Sequence, residues 1–250
     1  MAADRPAALA DVGFLGFDVF GTVVDWRSGV ARAASPFLAR HGVKADPHAF
    51  ADAWRARYQP AMETVRSGAR PWVKLDVLNR ENLDAVLAGF GVAPGTLPGA
   101  ELDDLTRAWE QLDAWPDAAP GLARLKRRFA IGPVSNGHIA GMLRLAHFAG
   151  LPWDVIAGAE LARDYKPKPA VYLASAAAVG LPPERVAMVA AHNDDLAAAR
   201  KLGLRTVFVR RPLEYGPAQK TDLAPAQDWD VVADSLLEVA DLLVADLLGA

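Results

Sequence analysis

The chain has 250 residues, of which 52% are hydrophobic and 23% charged, and its formal net charge is −3. This composition is typical of a globular protein and excludes a disordered or strongly basic chain, so we expect no nucleic-acid partner. The absence of cysteine excludes disulfides, thiol nucleophiles and cysteine-ligated zinc. No apolar run reaches the ~18 residues of a membrane span, and the N-terminus lacks the pattern of a secretory signal. We therefore expect a cytoplasmic protein that does not contact membranes.

In chain order, one strand pattern is followed by a long helical stretch and then by alternating strand and helix patterns. The strand patterns cover residues 13–20, 129–137, 154–160, 185–192 and 205–211, and the later ones alternate with helical patterns at 120–128, 139–150, 169–180 and 195–203. Nearly continuous apolar strands that alternate with helices are typical of a parallel sheet covered on both faces. The sequence thus predicts an α/β fold whose ligands bind beyond the C-terminal ends of the strands.

The stretch after the first strand differs from the rest, because residues 27–112 carry helical patterns and almost no strand pattern. We expect these residues to form an all-helical cap domain that covers the strand ends. The α/β core domain would then comprise residues 1–26 and 113–250.

Two features stand out near the C-terminus. The loop 211–229 is rich in proline and polar residues and is long for a connector, and long loops are often functional. Residues 235–250 form an apolar run interrupted at helical spacing by Glu238, Asp241 and Asp246. This pattern predicts an amphipathic helix that packs on the core or at a subunit contact.

Polar side chains gather where the predicted strands end. They are Asp18 and Thr22 after the first strand, Ser135 and Asn136 after the second, Lys166 between the third strand and the next helix, and His192 and Asp195 after the fourth strand. In a parallel sheet these side chains share one edge. A buried carboxylate such as Asp18 needs compensating charge, which Lys166 can supply. An ionised carboxylate held in this way suits a nucleophile, and Asp195 could fix Lys166 or help to activate water.

Taken one at a time, these signals have plainer interpretations. An aspartate after an apolar strand is more often a turn or capping residue than a nucleophile. The sequence Ser-Asn-Gly is a common turn, and a histidine at a strand end is more often a satisfied polar residue than a catalytic group. The order and the positions of the four signals together favour a site.

The stretches DVFGTVVDW, SNG, YKPKPAVY and AAHNDDLAAARKLGL resemble motifs one to four of the haloacid dehalogenase (HAD) superfamily. The resemblance extends over residues 13–232 and includes the position of the helical insertion. Within the superfamily, the chain is most similar to the type II enzymes, the (S)-2-haloacid dehalogenases. The resemblance implies a Rossmann-like HAD core with a helix-covered parallel sheet and an all-helical cap inserted after the first strand.

The type II interpretation depends on two positions. HAD phosphatases have a second aspartate two residues after the nucleophile, where this chain has Phe20. Their fourth motif begins with Gly-Asp, where this chain has Ala190 and Ala191. A general acid and a metal ligand are therefore missing, although phosphoryl transfer usually needs a cation. A departing halide needs neither a proton nor a metal, so we expect no metal and no cofactor.

The resemblance implies a hydrolytic dehalogenase of short 2-haloalkanoic acids such as haloacetate and 2-halopropionate. Asp18 would attack the halogen-bearing carbon to form an aspartyl ester, and water would hydrolyse the ester to the 2-hydroxy acid. Lys166, Ser135 and Thr22 would orient or neutralise Asp18. Asp195 would position or activate the water.

The resemblance also implies a substrate and halide pocket. Arg55 matches the halide-abstracting arginine of the family, with Arg57 as the rival if the helix register differs. Phe20, Asn136 and Tyr172 would line the pocket. A buried tyrosine with a satisfied hydroxyl remains an equally good interpretation of Tyr172.

One departure and several alternatives stay open. Many type II enzymes have Ser-Ser-Asn in the fourth motif, where this chain has Ala-Ala-His at 190–192. Either His192 or Asp195 could therefore activate water. The competing functions are a HAD-type phosphatase and a HAD-fold binding protein without chemistry. A homodimer fits the family, but the preferred halogen, chain length and stereospecificity do not follow from the sequence.

Overall fold

A computed structural model of the chain describes residues 6–93 and 95–244. Residues 1–5, 94 and 245–250 lie outside this description. The last of these ranges includes Asp246, so the end of the predicted C-terminal helix lies outside the described residues. The described part contains the predicted parallel sheet, with six strands in the order β3-β2-β1-β4-β5-β6. The strands are β1 (Phe14–Phe17), β2 (Ala130–Ser135), β3 (Ala157–Gly158), β4 (Val186–Ala190), β5 (Arg205–Val209) and β6 (Val231–Ala233).

The central strand β1 sets the location of the site. It pairs in parallel with β2 on one side and with β4 on the other, and Phe14 lies level with both Ala130 and Val186. The strand order therefore reverses at β1. In open α/β sheets, the crevice at such a reversal is where ligands bind. Asp18 is the first residue after β1, so the topology places it in this crevice.

The observed strands differ from the predicted ones in number and length. The sequence predicts five strands, and β6 was missed because three residues are too short to show a period. Only two residues of the predicted third strand are extended, and the chain then enters a helix at Ala159. The first strand ends at Phe17 rather than at Phe20, since the chain turns at Gly21, whose φ is 93°.

Helices cover the sheet as predicted. One helix directly precedes β2, namely α6 (Ala118–Leu125). The helices that follow β2 are α7 (Ile139–Ala149), α8 (Ala159–Ala162), α9 (Pro169–Ala178), α10 (Asn193–Arg200) and α11 (Leu236–Val244). The described part of the C-terminal helix packs on α6. Gly121 permits this close approach, because a Cβ atom there would lie 2.7 Å from the backbone carbonyl of Leu236. None of the described helices is both long and apolar enough to cross a bilayer.

The stretch between β1 and α6 contains a second group of helices. They are α1 (Trp26–Arg40), α2 (Pro47–Ala56), α3 (Tyr58–Arg66), α4 (Leu75–Gly89) and α5 (Gly99–Thr106), followed by a 3₁₀ turn at Arg107–Glu110. Asp46 caps α2 by accepting a hydrogen bond from the backbone N–H of Ala49. Helices α2 and α3 carry Arg55 and Tyr58 to the cavity next to Asp18. The division into core and cap domains at residues 27 and 112 stays a prediction.

Candidate active site

Asp18 is buried and contacts three polar side chains. Its Oδ1 accepts a hydrogen bond of 2.9 Å from Lys166 Nζ, and its Oδ2 accepts one of 2.8 Å from Thr22 Oγ1. Nδ1 of His192 lies 3.1 Å from the same Oδ2. Burial acts to raise the pKa of Asp18, but the charge of Lys166 and the contact with His192 outweigh it and hold that pKa well below its usual range. Asp18 is therefore an ionised carboxylate that is largely shielded from solvent.

Lys166 joins Asp18 to Asp195. Its Nζ donates a hydrogen bond of 2.6 Å to Oδ2 of Asp195, while the hydroxyl of Tyr172 donates one of 2.5 Å to Oδ1. Burial acts to lower the pKa of Lys166, but the two carboxylates raise it above its ordinary value. The ammonium ion thus stays charged between two buried anions, and the hydroxyl of Tyr172 is satisfied by Asp195.

The backbone of Lys166 is fixed by two further contacts. Its N–H donates a hydrogen bond of 2.7 Å to Oδ1 of Asn136, which follows β2. Its carbonyl oxygen accepts one of 2.7 Å from Nη1 of Arg66 in α3. Asn136 therefore positions Lys166 in addition to bordering the cavity.

His192 leads to a residue that the sequence analysis missed. Nε2 of His192 lies 2.9 Å from Oε2 of Glu214, and Nε1 of Trp26 donates a hydrogen bond of 3.0 Å to Oε1. Burial acts to lower the pKa of His192, but Glu214 and Asp18 raise it well above its ordinary value. The glutamate fits because position 21 is glycine: a Cβ atom there would lie 2.1 Å from Oε1 of Glu214.

Thr22 and Ser135 lie beneath the cavity and differ in their contacts. Besides donating to Asp18, the hydroxyl of Thr22 accepts a hydrogen bond of 2.9 Å from the backbone N–H of Ala191, so it links the ends of β1 and β4. The hydroxyl of Ser135 instead accepts a hydrogen bond of 3.0 Å from the N–H of Gly137. No hydrogen bond between Ser135 and Asp18 occurs in the part of the chain that the structure describes. The role of Ser135 in orienting Asp18 stays a prediction, and the contact that the structure gives its hydroxyl is with the turn after β2.

The polar cluster borders a cavity of about 270 Å³. Eight of the ten predicted site residues line it, and only Thr22 and Ser135 do not. The eight are Asp18, Phe20, Arg55, Asn136, Lys166, Tyr172, His192 and Asp195. Tyr58 of α3 and Tyr215, the neighbour of Glu214, complete much of the wall.

Arg55 is the cation that faces Asp18 from the helices above the sheet. Its guanidinium carbon lies 4.2 Å from the ring centroid of Tyr58 and 5.3 Å from that of Trp26. Its Nη1 atom is buried and has no hydrogen-bond partner among residues 6–93 and 95–244. A buried cationic donor without a partner is suited to an anion. The rival, Arg57, is exposed at the end of α2 and does not line the cavity.

Phe20 is buried between two cavities. Its ring packs edge-to-face on Tyr58 and on Trp109, with centroid distances of 6.4 Å and 5.8 Å. Besides the cavity at Asp18, it lines a larger one of about 580 Å³, whose wall also includes Leu75, Trp109 and Met142. Phe20 therefore gives the site an apolar wall and separates it from a second space.

Comparison with known proteins gives a coherent set of relatives. The family model for haloacid dehalogenase-like hydrolases matches residues 15–203. The crystal structure of a defluorinating L-2-haloacid dehalogenase is similar with a TM-score of 0.93 and 49% identity, over 96% of this chain and 99% of that one. Another L-2-haloacid dehalogenase structure has a TM-score of 0.87 and 44% identity over the same shares of the two chains. The (S)-2-haloacid dehalogenase 4A of Burkholderia cepacia is 28% identical over 233 residues, which cover 90% of this chain and 96% of that protein.

Proposed function

Because the chain belongs to the haloacid dehalogenase-like hydrolase family, we propose that it is a hydrolytic dehalogenase of short 2-haloalkanoic acids. One observation carries the proposal most directly. The ionised carboxylate of Asp18 and the buried, unpartnered Nη1 of Arg55 border the same small cavity. A nucleophile and an anion-stabilising cation on one cavity are what displacement of a halide requires.

In the first step, a carboxylate oxygen of Asp18 forms a bond to C2 of the substrate. The carbon–halogen bond breaks on the opposite side, the halide takes the bonding electron pair, and the configuration at C2 inverts. Arg55 stabilises the charge that develops on the halogen, and the ring of Phe20 keeps water away from it. No proton is transferred in this step.

In the second step, water attacks the carbonyl carbon of the aspartyl ester. The bond between that carbon and the ester oxygen breaks, which releases the 2-hydroxy acid and restores Asp18. Lys166 and Thr22 already contact the two carboxylate oxygens, so they stabilise the negative charge that develops there. Turnover is expected to need no metal, because Ala191 stands where a phosphatase has an aspartate that binds the metal.

The size of the cavity limits the substrate. Pockets for drug-sized ligands measure roughly 300–1,000 Å³, and the cavity at Asp18 measures about 270 Å³. This volume suits acids of two or three carbons. One relative with 49% identity is a defluorinating enzyme, so fluoroacetate belongs among the substrates to be tested.

Halide release tests the proposal. The panel contains fluoro-, chloro- and bromoacetate and both enantiomers of 2-chloropropionate, each with EDTA present. We expect release from at least one of these acids, its loss in Asp18→Asn, and its retention in Asp228→Asn, whose side chain is on the surface. Absence of halide from every acid would refute the proposal, and EDTA-sensitive hydrolysis of a phosphate monoester would favour a phosphatase instead.

Two further parts of the proposal concern the protein as a whole. A homodimer and a location in the cytoplasm are expected from the family and the composition. Light scattering after gel filtration measures the first, and cell fractionation measures the second.

A further inference from the structure

We infer that His192 is the general base that hydrolyses the aspartyl ester, and that Glu214 is the residue that positions and charges it. This inference rests on the proposed function and assigns the proton transfer in its second step. It also gives a role to Glu214, which lies in the long loop that follows β5.

The imidazole of His192 is held at both ring nitrogens. Nδ1 lies 3.1 Å from Oδ2 of Asp18, and Nε2 lies 2.9 Å from Oε2 of Glu214. The side chain of Glu214 is only 1% exposed. A carboxylate so buried needs a cationic or strong donor partner, and its side-chain contacts are with Trp26 and His192. The pair therefore fixes the imidazole with Nδ1 directed at the nucleophile.

Asp195, the other candidate base, already has both oxygens engaged. Lys166 Nζ donates to Oδ2 at 2.6 Å and the hydroxyl of Tyr172 donates to Oδ1 at 2.5 Å. Both donors are buried, and neither contact is removed when Asp18 becomes an ester. Asp195 thus holds Lys166 in place throughout the cycle, whereas His192 loses a carboxylate partner at the moment when a base is needed.

The number of negative charges beside His192 depends on whether Asp18 is a free carboxylate or an ester. In the resting protein the imidazolium lies between the carboxylates of Asp18 and Glu214. Esterification removes the charge of Asp18. Glu214 is then the only carboxylate among the described residues that forms an ion pair with the imidazole, while the cations Lys166 and Arg55 still border the cavity. The proton on Nδ1 is then released to solvent, and Glu214 retains the proton on Nε2. Tyr215, Asp194 and Asp195 also border the cavity but make no contact with His192 among the described hydrogen bonds.

The neutral imidazole then completes the second step. Nδ1 takes a proton from water as the water oxygen bonds to the ester carbonyl carbon of Asp18. When the bond to the ester oxygen breaks, the hydroxyl proton on that carbon passes to the departing alkoxide. The products are the 2-hydroxy acid, the carboxylate of Asp18 and the imidazolium of His192. Each turnover therefore releases one halide and the one proton that left Nδ1 for solvent.

The test measures halide release and ester hydrolysis separately in the Glu214→Gln variant. Rapid-quench measurements with the best substrate of the panel are expected to show a burst of about one halide per chain, followed by ester hydrolysis slowed about 10²-fold. Intact-protein mass spectrometry is expected to show the accumulated ester. Glu184→Gln, an exposed change of the same kind, is the matched control. His192→Asn should give the same burst and serves as the test if Glu214→Gln fails to fold.

The pH profile of ester hydrolysis distinguishes a positioning role from a structural one. In the wild type, hydrolysis should accelerate with pH as His192 deprotonates, and in Glu214→Gln the midpoint should move to lower pH. Wild-type rates in Glu214→Gln, loss of its burst, or an unmoved midpoint would each overturn the inference. These results differ from failure of the proposed function, in which the wild type itself releases no halide.

Discussion

Lys166 and Asp18 are 148 positions apart in the chain, yet Nζ of one lies 2.9 Å from Oδ1 of the other. The same ammonium also contacts Asp195, so one cation compensates two buried carboxylates. Burying such a cluster of charges costs desolvation free energy. Removing one member costs more stability still, because the remaining charges stay buried without a partner. Its retention is understandable if Asp18 must remain an ionised nucleophile.

Replacement of Lys166 should therefore damage both activity and stability. In Lys166→Met, Asp18 and Asp195 lose the ammonium between them and only the imidazolium of His192 remains beside Asp18, so the expected loss is about 3–5 kcal/mol of unfolding free energy. Halide release should fall below detection. Urea denaturation and a halide assay measure the two effects, with the exposed Lys168→Met as control. A variant as stable and active as the wild type would show that the pair contributes to neither.

Arg55 offers a sharper test of the halide site, since Arg57 on the same helix end provides a matched control. Arg55→Met removes the guanidinium whose Nη1 has no hydrogen-bond partner among the described residues, and it should lower kcat by about 10²–10³-fold. Arg57→Met removes an exposed arginine and should leave kcat unchanged. Steady-state kinetics on the best haloacid measures both. Equal effects of the two changes would contradict the assignment of Arg55.

The sequence alone led to most of this site, for a physical reason. Asp18 stands at the end of one predicted strand and Lys166 in the loop that follows another, and a parallel sheet brings these positions to one edge. Glu214 could not be found in this way, because it is a single acid in a loop without a period. Ser135 was placed at the correct edge, but its hydrogen bond to Gly137 could not be foreseen, since a serine hydroxyl can bond either to its own turn or to a neighbouring strand end. The short strand β6 lacked enough residues to reveal its pattern.

Phe20 should determine how long a substrate the cavity accepts. Phe20→Ala removes the ring that lies between the two cavities, so the site gains access to the apolar space near Leu75 and Met142. The ratio of kcat/KM for 2-chlorohexanoate to that for chloroacetate is expected to rise about tenfold or more. Competition kinetics measures this ratio. Phe148→Ala, on the surface, is the control, and an unchanged ratio would mean that the second cavity does not join the site.

Asp117 should stabilise the loop that carries Glu214. Its carboxylate accepts hydrogen bonds of 2.9 and 2.8 Å from the guanidinium of Arg211 and one of 2.6 Å from the N–H of Leu236. Asp117→Ala leaves the buried Arg211 unpaired and should lower the unfolding free energy by about 3 kcal/mol. Asp113→Ala, at an exposed ion pair, should change it by less than about 1 kcal/mol. Urea denaturation compares the two, and similar losses would argue against the buried pair.

The raised pKa of His192 predicts how stability depends on pH. Its contribution should be fully present below its unfolded-state pKa of about 6.5 and lost as pH rises through its higher pKa in the folded protein. The advantage of the wild type over His192→Asn should thus be larger at about pH 6 than at about pH 9, declining by at most about 1.4 kcal/mol per pH unit. The depressed pKa of Asp18 acts only at acid pH and leaves this window unaffected. Denaturation curves across the range measure the difference, and an advantage that grows with pH would mean that His192 is not held as an imidazolium between Asp18 and Glu214.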